Sequence, residues 1–117
     1  MLRAVVRKAP DADVLVVGYP SFVPEDGPCE GLPIAEGDLP LALSINRGLN
    51  TAMEKAAERV GARYVDVHAA TRGHDICSDD PWVADGTASR GRAAPWHPYA
   101  AEQQATAEAI LEALADS

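Results

Sequence analysis

The chain is expected to fold as an α/β sandwich on a parallel sheet, and three features of the sequence predict it. Val14-Leu15-Val16-Val17 is an unbroken apolar run without polar alternation, which reads as a strand covered on both faces. Arg63-Tyr64-Val65-Asp66-Val67 reads as a second strand. A long helical period separates them, and strand, helix, strand in that order implies a right-handed crossover between parallel neighbours. Helices at both chain ends complete the sandwich.

The first residues place Leu2, Val5 and Val6 on one face with Arg3, Arg7 and Lys8 around it, the spacing of a helix's last turns. Basic residues suit a helix C-terminus, and Pro10 stops the helix. No N-cap precedes it, so a preceding segment is expected to be missing. After the first strand, Gly18-Tyr19-Pro20 opens a loop that runs to Gly37, rich in Pro, Gly and acid. Long ordered loops in compact domains are often functional. Asp38 can cap the central helix and Pro40 is tolerated in its first turn. Ile45, Leu49, Met53, Ala56 and Val60 fall on one stripe, which is expected to face the core until Gly61 ends the helix. Residues 68–96 read as a second long loop, and Ala107, Ile110, Leu111 and Leu114 give the stripe of a C-terminal helix. Two strands alone make a poor sheet, so a partner or a further segment is expected to complete it.

With 117 residues and no repeat or linker, the chain is one domain's worth of sequence. At 47% hydrophobic and 24% charged it has a globular composition. Its net charge of -8 and lack of a basic run argue against nucleic acid or an anionic membrane as partner. No apolar run is long enough to span a bilayer, and the N-terminus has no signal-peptide pattern.

Cys29 and Cys77 lie in polar, loop-like surroundings. A metal site would want closer spacing and further ligands, so a disulfide suits the pair better, with two separate reduced thiols as the alternative. Closing such a loop would stabilise the fold by roughly 4 kcal/mol in the chain-entropy model. A bridge would place the protein outside the reducing cytosol.

Pro95-Trp96-His97-Pro98 is the stretch best suited to chemistry. Pro98 disfavours helical geometry at His97 and itself suits a first helical turn, so the imidazole is presented from a loop at a helix entrance. On these residues alone, a surface histidine beside a helix cap is the simpler account.

The order of blocks decides between the two. The strand ending Val17-Gly18-Tyr19-Pro20, a cysteine in the next loop and a helix with Asn46 and Asn50 come first. Tyr64-Val65-Asp66-Val67, Gly73-His74-Asp75-Ile76-Cys77-Ser78, Pro81-Trp82-Val83 and His97-Pro98 follow. Together they resemble the C-terminal half of the SGNH (GDSL-type) hydrolases, in the secreted actinobacterial lipase and esterase branch. The resemblance implies a three-layer α/β/α sandwich with a flavodoxin-like parallel sheet, apparently truncated at its N-terminus. Residues 1–117 would then be the C-terminal part of a single SGNH hydrolase domain.

The resemblance implies a carboxylic ester hydrolase working through a Ser-His mechanism, with His97 as the base that takes the serine proton and returns it to the leaving alcohol. Many members orient this histidine with an aspartate three residues earlier, where this chain has Ala94. The Ala94 backbone carbonyl is therefore expected to hold the ring instead. Members commonly carry Asn after the His-Pro pair and Gly three residues further on, where this chain has Tyr99 and Glu102, so altered packing is expected there. The resemblance also implies a Cys29–Cys77 disulfide beside the cleft. Trp82 and Trp96 could line an acyl pocket. His68 is expected to be a packing residue at the sheet edge. His74 and Asp75, with Asp79 and Asp80, are expected to form a solvated acidic turn rather than a metal site.

The nucleophile is the main departure from the family. Members carry it in a Gly-Asp-Ser block near the domain's start, and this chain has no such block. Gly37-Asp38-Leu39 lacks the serine, and Ser21, Ser44, Ser78 and Ser89 have no elbow pattern around them. The chain is thus expected to carry the base without the nucleophile, and to show little activity alone. The alternative is a catalytically inactive α/β remnant or binding module. The resemblance implies a small-molecule or lipid ester as substrate, no cofactor, a role in lipid metabolism, secretion, and a missing N-terminal half as a further partner.

Overall fold

The computed structural model describes residues 1–87 and 92–116, so Ser89 lies outside the described residues. Helix α1 (Leu2–Lys8) ends with Arg7 and Lys8 in its last turn, ahead of Pro10. Strand β1 (Leu15–Val17) leads into the first long loop, which closes in a 3-10 turn at Glu36–Asp38. Helix α2 (Leu39–Glu58) crosses over to strand β2 (Arg63–Val65), followed by the short helix α3 (Val67–Ala70) and, after a second long loop, helix α4 (Ala100–Ala115).

The strands pair in parallel, with Leu15 opposite Arg63, Val16 opposite Tyr64 and Val17 opposite Val65. Main-chain bonds from Arg63 N to Val14 O and from Gly18 N to Val65 O, both 3.0 Å, extend the ladder at each end. Helix α2 packs over both strands, and α4 packs against β2 and α3. The parallel pair joined by a helix is therefore as expected.

The second strand is shorter than its β-branched run suggests. Asp66 leaves the ladder, and its carboxylate accepts a 3.0 Å bond from Ala69 N, which caps α3. Val67, only 1% exposed, is thus buried from a helix rather than from a strand. A local Asx cap overrides β propensity here.

Helix α2 carries a further difference. Asp38 stands at its N-cap without a side-chain capping bond, and Pro40 lies in its first turn. The apolar stripe expected inside is partly outside: Ile45 and Leu49 are 61% and 42% exposed, and Leu41, one turn earlier, is 62% exposed. The buried face instead presents Leu39, Asn46, Asn50 and Ala57. On α4, Leu111 and Leu114 are likewise exposed, while Glu102 is buried and accepts from the Thr106 hydroxyl at 2.8 Å. Exposed apolar stripes associate. The isolated chain is expected to self-associate with rising concentration, and Leu41→Gln with Ile45→Gln to weaken this. Sedimentation velocity checks it, and an unchanged distribution in the double variant would place the association elsewhere.

The hydrophobic core is built largely from the loops. Val23, Leu32, Leu39, Ile76 and Val83 form its buried cluster, with Phe22, Ile34, Leu43, Cys29 and Cys77 packed against it. Cys29 and Cys77 are joined in a disulfide, their Cα atoms 5.7 Å apart. Asp75 shapes the loop at this crosslink: Oδ1 accepts from Cys77 N at 2.8 Å and its carbonyl accepts from the Ser78 hydroxyl at 2.8 Å. Among the described residues no helix is long and apolar enough to cross a membrane.

Candidate active site

The site starts where β1 ends. Asn50 Oδ1 accepts from both Tyr19 N and the Tyr64 hydroxyl at 2.8 Å, and Asn50 Nδ2 donates to Asn46 O. Asn46, only 2% exposed, donates from Nδ2 to Pro20 O at 3.1 Å. The buried polar face of α2 thereby satisfies the main-chain groups of the strand exit and fixes Tyr19-Pro20. A side chain at Gly18 would collide with this cluster, since a Cβ there would stand 2.7 Å from Asn50 Oδ1. One step on, Ser21 N donates to Thr71 Oγ1 at 2.9 Å, and Ile76 N donates to Phe22 O at 3.2 Å. The two long loops are stitched together at this point.

The opposite wall is a short antiparallel ribbon. Residues 82–85 run beside 96–99, bridged at Val83 and Pro98. Ala84 N donates to His97 O at 2.9 Å, Tyr99 N donates to Trp82 O at 2.7 Å, and Trp96 N lies 3.2 Å from the carbonyls of Ala84 and Asp85. Val83 and Ala84, at 4% and 0% exposure, root the ribbon in the core.

Ala94-Pro95-Trp96-His97 form a tight turn closed by His97 N donating to Ala94 O at 3.1 Å. Pro95 takes the second position, and Trp96 takes the third with φ 65°. Proline followed by a positive φ is the type II pattern, which favours glycine where this chain has tryptophan. Left-handed backbone at a bulky residue costs about 1–3 kcal/mol, and such strain collects at functional sites.

His97 is exposed, and its Nδ1 lies 2.8 Å from Pro95 O. The carbonyl at the ring nitrogen is that of Pro95, one residue later than the Ala94 carbonyl expected from the sequence. The Ala94 carbonyl already accepts the turn's closing bond, whereas the central carbonyl of such a turn has no partner within it. With Nδ1–H donating to Pro95 O, Nε2 carries the lone pair and can act as a base.

A groove of about 460 Å³ lies beside the imidazole. Tyr19, Pro20, Phe22, Ile76, Val83, Trp96 and Pro98 form the rest of its lining among the described residues, where His97 is the side chain suited to act as a general base. No serine lines it among the described residues. Trp96 lies in the lining as expected, and Trp82 does not. Trp82 stacks on His74 with ring centroids 3.6 Å apart, and its Nε1 donates to Asp80 Oδ2 at 3.2 Å. His74 Nδ1 is 3.0 Å from Asp80 O, so the Trp82–His74–Asp80 cluster braces the loop beyond the crosslink. His68 lies on α3 in a separate polar hollow with Arg47, Glu54, Asp66 and Arg72. Burial lowers its pKa, partly opposed by the nearby Asp66 carboxylate.

The apolar walls Tyr19, Pro20, Phe22, Ile76 and Val83 carry no mark of a groove in the sequence. Each sits in a stretch without periodicity, and only the Gly-Tyr-Pro strand exit marked the place.

The chain matches no family model. It is similar to "Lipase 2" of Streptomyces coelicolor, with 36% identity over 97% of this chain and 40% of that protein. An esterase of Streptomyces scabiei is 41% identical over 59% of this chain and 23% of its own length. The crystal structure of phospholipase A1 from Streptomyces albidoflavus NA297 superposes with a TM-score of 0.78 and 32% identity, over 96% of this chain and 48% of that one. An extracellular lipase of Streptomyces rimosus gives a TM-score of 0.79 at 28% identity, over 94% of this chain and 46% of that one. The chain thus spans less than half the length of these relatives. Over that extent, in sequence and in α/β/α fold with a parallel sheet alike, it belongs to the SGNH (GDSL-type) hydrolases, in the actinobacterial lipase and esterase branch.

Proposed function

We propose that this chain is the base-bearing part of a single SGNH domain that hydrolyses carboxylic esters, including lipid esters. One observation carries the proposal: His97 Nδ1 is tied to Pro95 O at 2.8 Å while the ring borders an apolar groove. In the reaction, Nε2 takes the proton from an attacking serine hydroxyl and later returns it to the departing alkoxide, giving the free alcohol. The Pro95 carbonyl holds the tautomer and accepts from the imidazolium formed midway. The serine and oxyanion donors come from residues outside these 117, which form the N-terminal half of the domain. The relatives named lipase, esterase and phospholipase A1 support an ester substrate. The disulfide and the extracellular relative support secretion.

The test joins the chain to the N-terminal half of the Streptomyces coelicolor relative and follows hydrolysis of a short-chain nitrophenyl ester. Turnover is expected for the joined protein, with inactivation by a fluorophosphonate and little turnover from the 117-residue chain alone. Turnover by the chain alone that requires His97 but resists the fluorophosphonate would overturn the assignment of an external serine.

A further inference from the structure

Trp96 combines three properties that the proton-transfer role of His97 does not require. It holds a left-handed backbone, its indole lines the groove, and it is 49% exposed. The ring also rests on a specific seat. A Cβ placed on Gly86 would meet Trp96 Cζ2 at 2.6 Å and Cη2 at 3.2 Å, so the indole edge lies against bare glycine backbone. The seat is itself ordered: Asp85 Oδ1 accepts from Thr87 N at 2.8 Å and from the Thr87 hydroxyl at 2.5 Å, folding the backbone around Gly86. Those two bonds hold the Asp85 carboxyl below its usual pKa. Trp96 N also reaches the Asp85 carbonyl at 3.2 Å, which ties the ring's backbone to the same turn.

Trp96 lines the groove and Gly86 does not, and the indole edge lies against Gly86. Of the other walls, Val83 and Ile76 are held by the core at 4% and 6% exposure, while Tyr19 is 52% exposed. Trp96 differs from Tyr19 in that its ring rests on bare backbone at Gly86.

We infer that the groove binds a straight aliphatic chain with its polar head at His97, and that Trp96, seated on Gly86, sets how long a chain it admits. The inference rests on the ester-hydrolase proposal for its substrate, with the acyl chain of the ester as occupant. The lining supports it, because away from the imidazole the walls are prolines, aliphatic side chains and aromatic rings. Such walls favour a hydrocarbon over a sugar or a charged headgroup. Each methylene that enters raises affinity by up to about fourfold, and a methylene that does not enter adds little. A plot of affinity against chain length therefore breaks where the groove ends.

The two positions act in opposite directions. A methyl group at Gly86 lifts the indole off its seat into the groove, so Gly86→Ala shortens the longest chain accommodated. Trp96→Ala removes the wall and lengthens it. In the double variant no ring remains to be displaced, so adding Gly86→Ala to Trp96→Ala changes nothing further.

Isothermal titration of the 117-residue chain with a graded series of straight-chain fatty acids tests this without requiring turnover. The expected result is a break at shorter chains in Gly86→Ala, at longer chains in Trp96→Ala, and at the Trp96→Ala position in the double variant. Circular dichroism confirms that each variant is folded, and Trp96→Phe provides a milder wall change with a smaller lengthening. A break that stays at the same chain length in Gly86→Ala and Trp96→Phe would overturn the inference, as would the absence of fatty-acid binding. Chain-dependent binding by a protein that gains no esterase activity when joined to an N-terminal half would leave the groove assignment standing and sink the hydrolase proposal alone.

Discussion

In the joined enzyme, His97→Ala is expected to lower kcat by about 10⁴- to 10⁶-fold, because a base and the nucleophile it activates act as a unit. The fold should tolerate the change. The imidazole is exposed, and its bond to Pro95 O lies within the turn that the main chain already closes. Surface replacements of this kind stay within about 0.5 kcal/mol of the parent. Single-turnover kinetics together with a thermal melt separate the two effects. A loss of activity accompanied by a large fall in Tm would mean that His97 holds the ribbon together rather than moving a proton.

The crosslink should show the reverse pattern. Cys29→Ala combined with Cys77→Ala is expected to cost about 4 kcal/mol, since the bridge closes a long loop in the unfolded chain. At this size such a loss corresponds to a fall in Tm of about 10–20 °C. The effect is large here because the bridge is packed against Val23, Leu32, Leu39, Ile76 and Val83, a core supplied mainly by irregular segments. Without the bridge, Ile76 loses the neighbour that holds it in the groove wall, so fatty-acid affinity falls as well. Denaturant unfolding of the oxidised chain and the double variant measures the loss. A difference under about 1 kcal/mol would mean that the loops hold without the covalent tie.

Much of this architecture is legible in the sequence because burial leaves a periodic trace. Val14 to Val17 reads as an unbroken apolar strand and Arg63 to Val65 as its parallel neighbour, though Leu15 to Val17 are only half-buried, and the long helix between them follows from its length and from Gly61, which adopts φ 72°. Helix α2 shows where periodicity misleads. Its most apolar stripe includes Leu41, Ile45 and Leu49, which face outward, while its buried face is partly polar because Asn46 and Asn50 serve the strand exit. Hydrophobic patterning has no term for a buried amide that satisfies main-chain groups. The Ser21–Val23 and Ile76–Val83 segments carry no period at all, and their burial depends on a crosslink and on bonds between loops.

The site divides in the same way. His97 was marked by its flanking prolines and by the order of blocks around it, and Cys29–Cys77 by its loop setting together with the resemblance. The two tryptophans look alike in sequence, yet Trp96 lines the groove and Trp82 stacks on His74, because only the ribbon's register separates them. That Pro95 O rather than Ala94 O meets the His97 ring follows from which peptide of a tight turn has its carbonyl engaged, and that depends on the backbone at Trp96.

The tautomer of His97 tests the site most directly, and nitrogen-15 NMR of the 117-residue chain above the imidazole's pKa reads it without any substrate. The 2.8 Å contact predicts a neutral ring with its proton on Nδ1, donated to the Pro95 carbonyl, and an unprotonated Nε2. A ring protonated mainly on Nε2, the form favoured by an unconstrained imidazole in water, would contradict it.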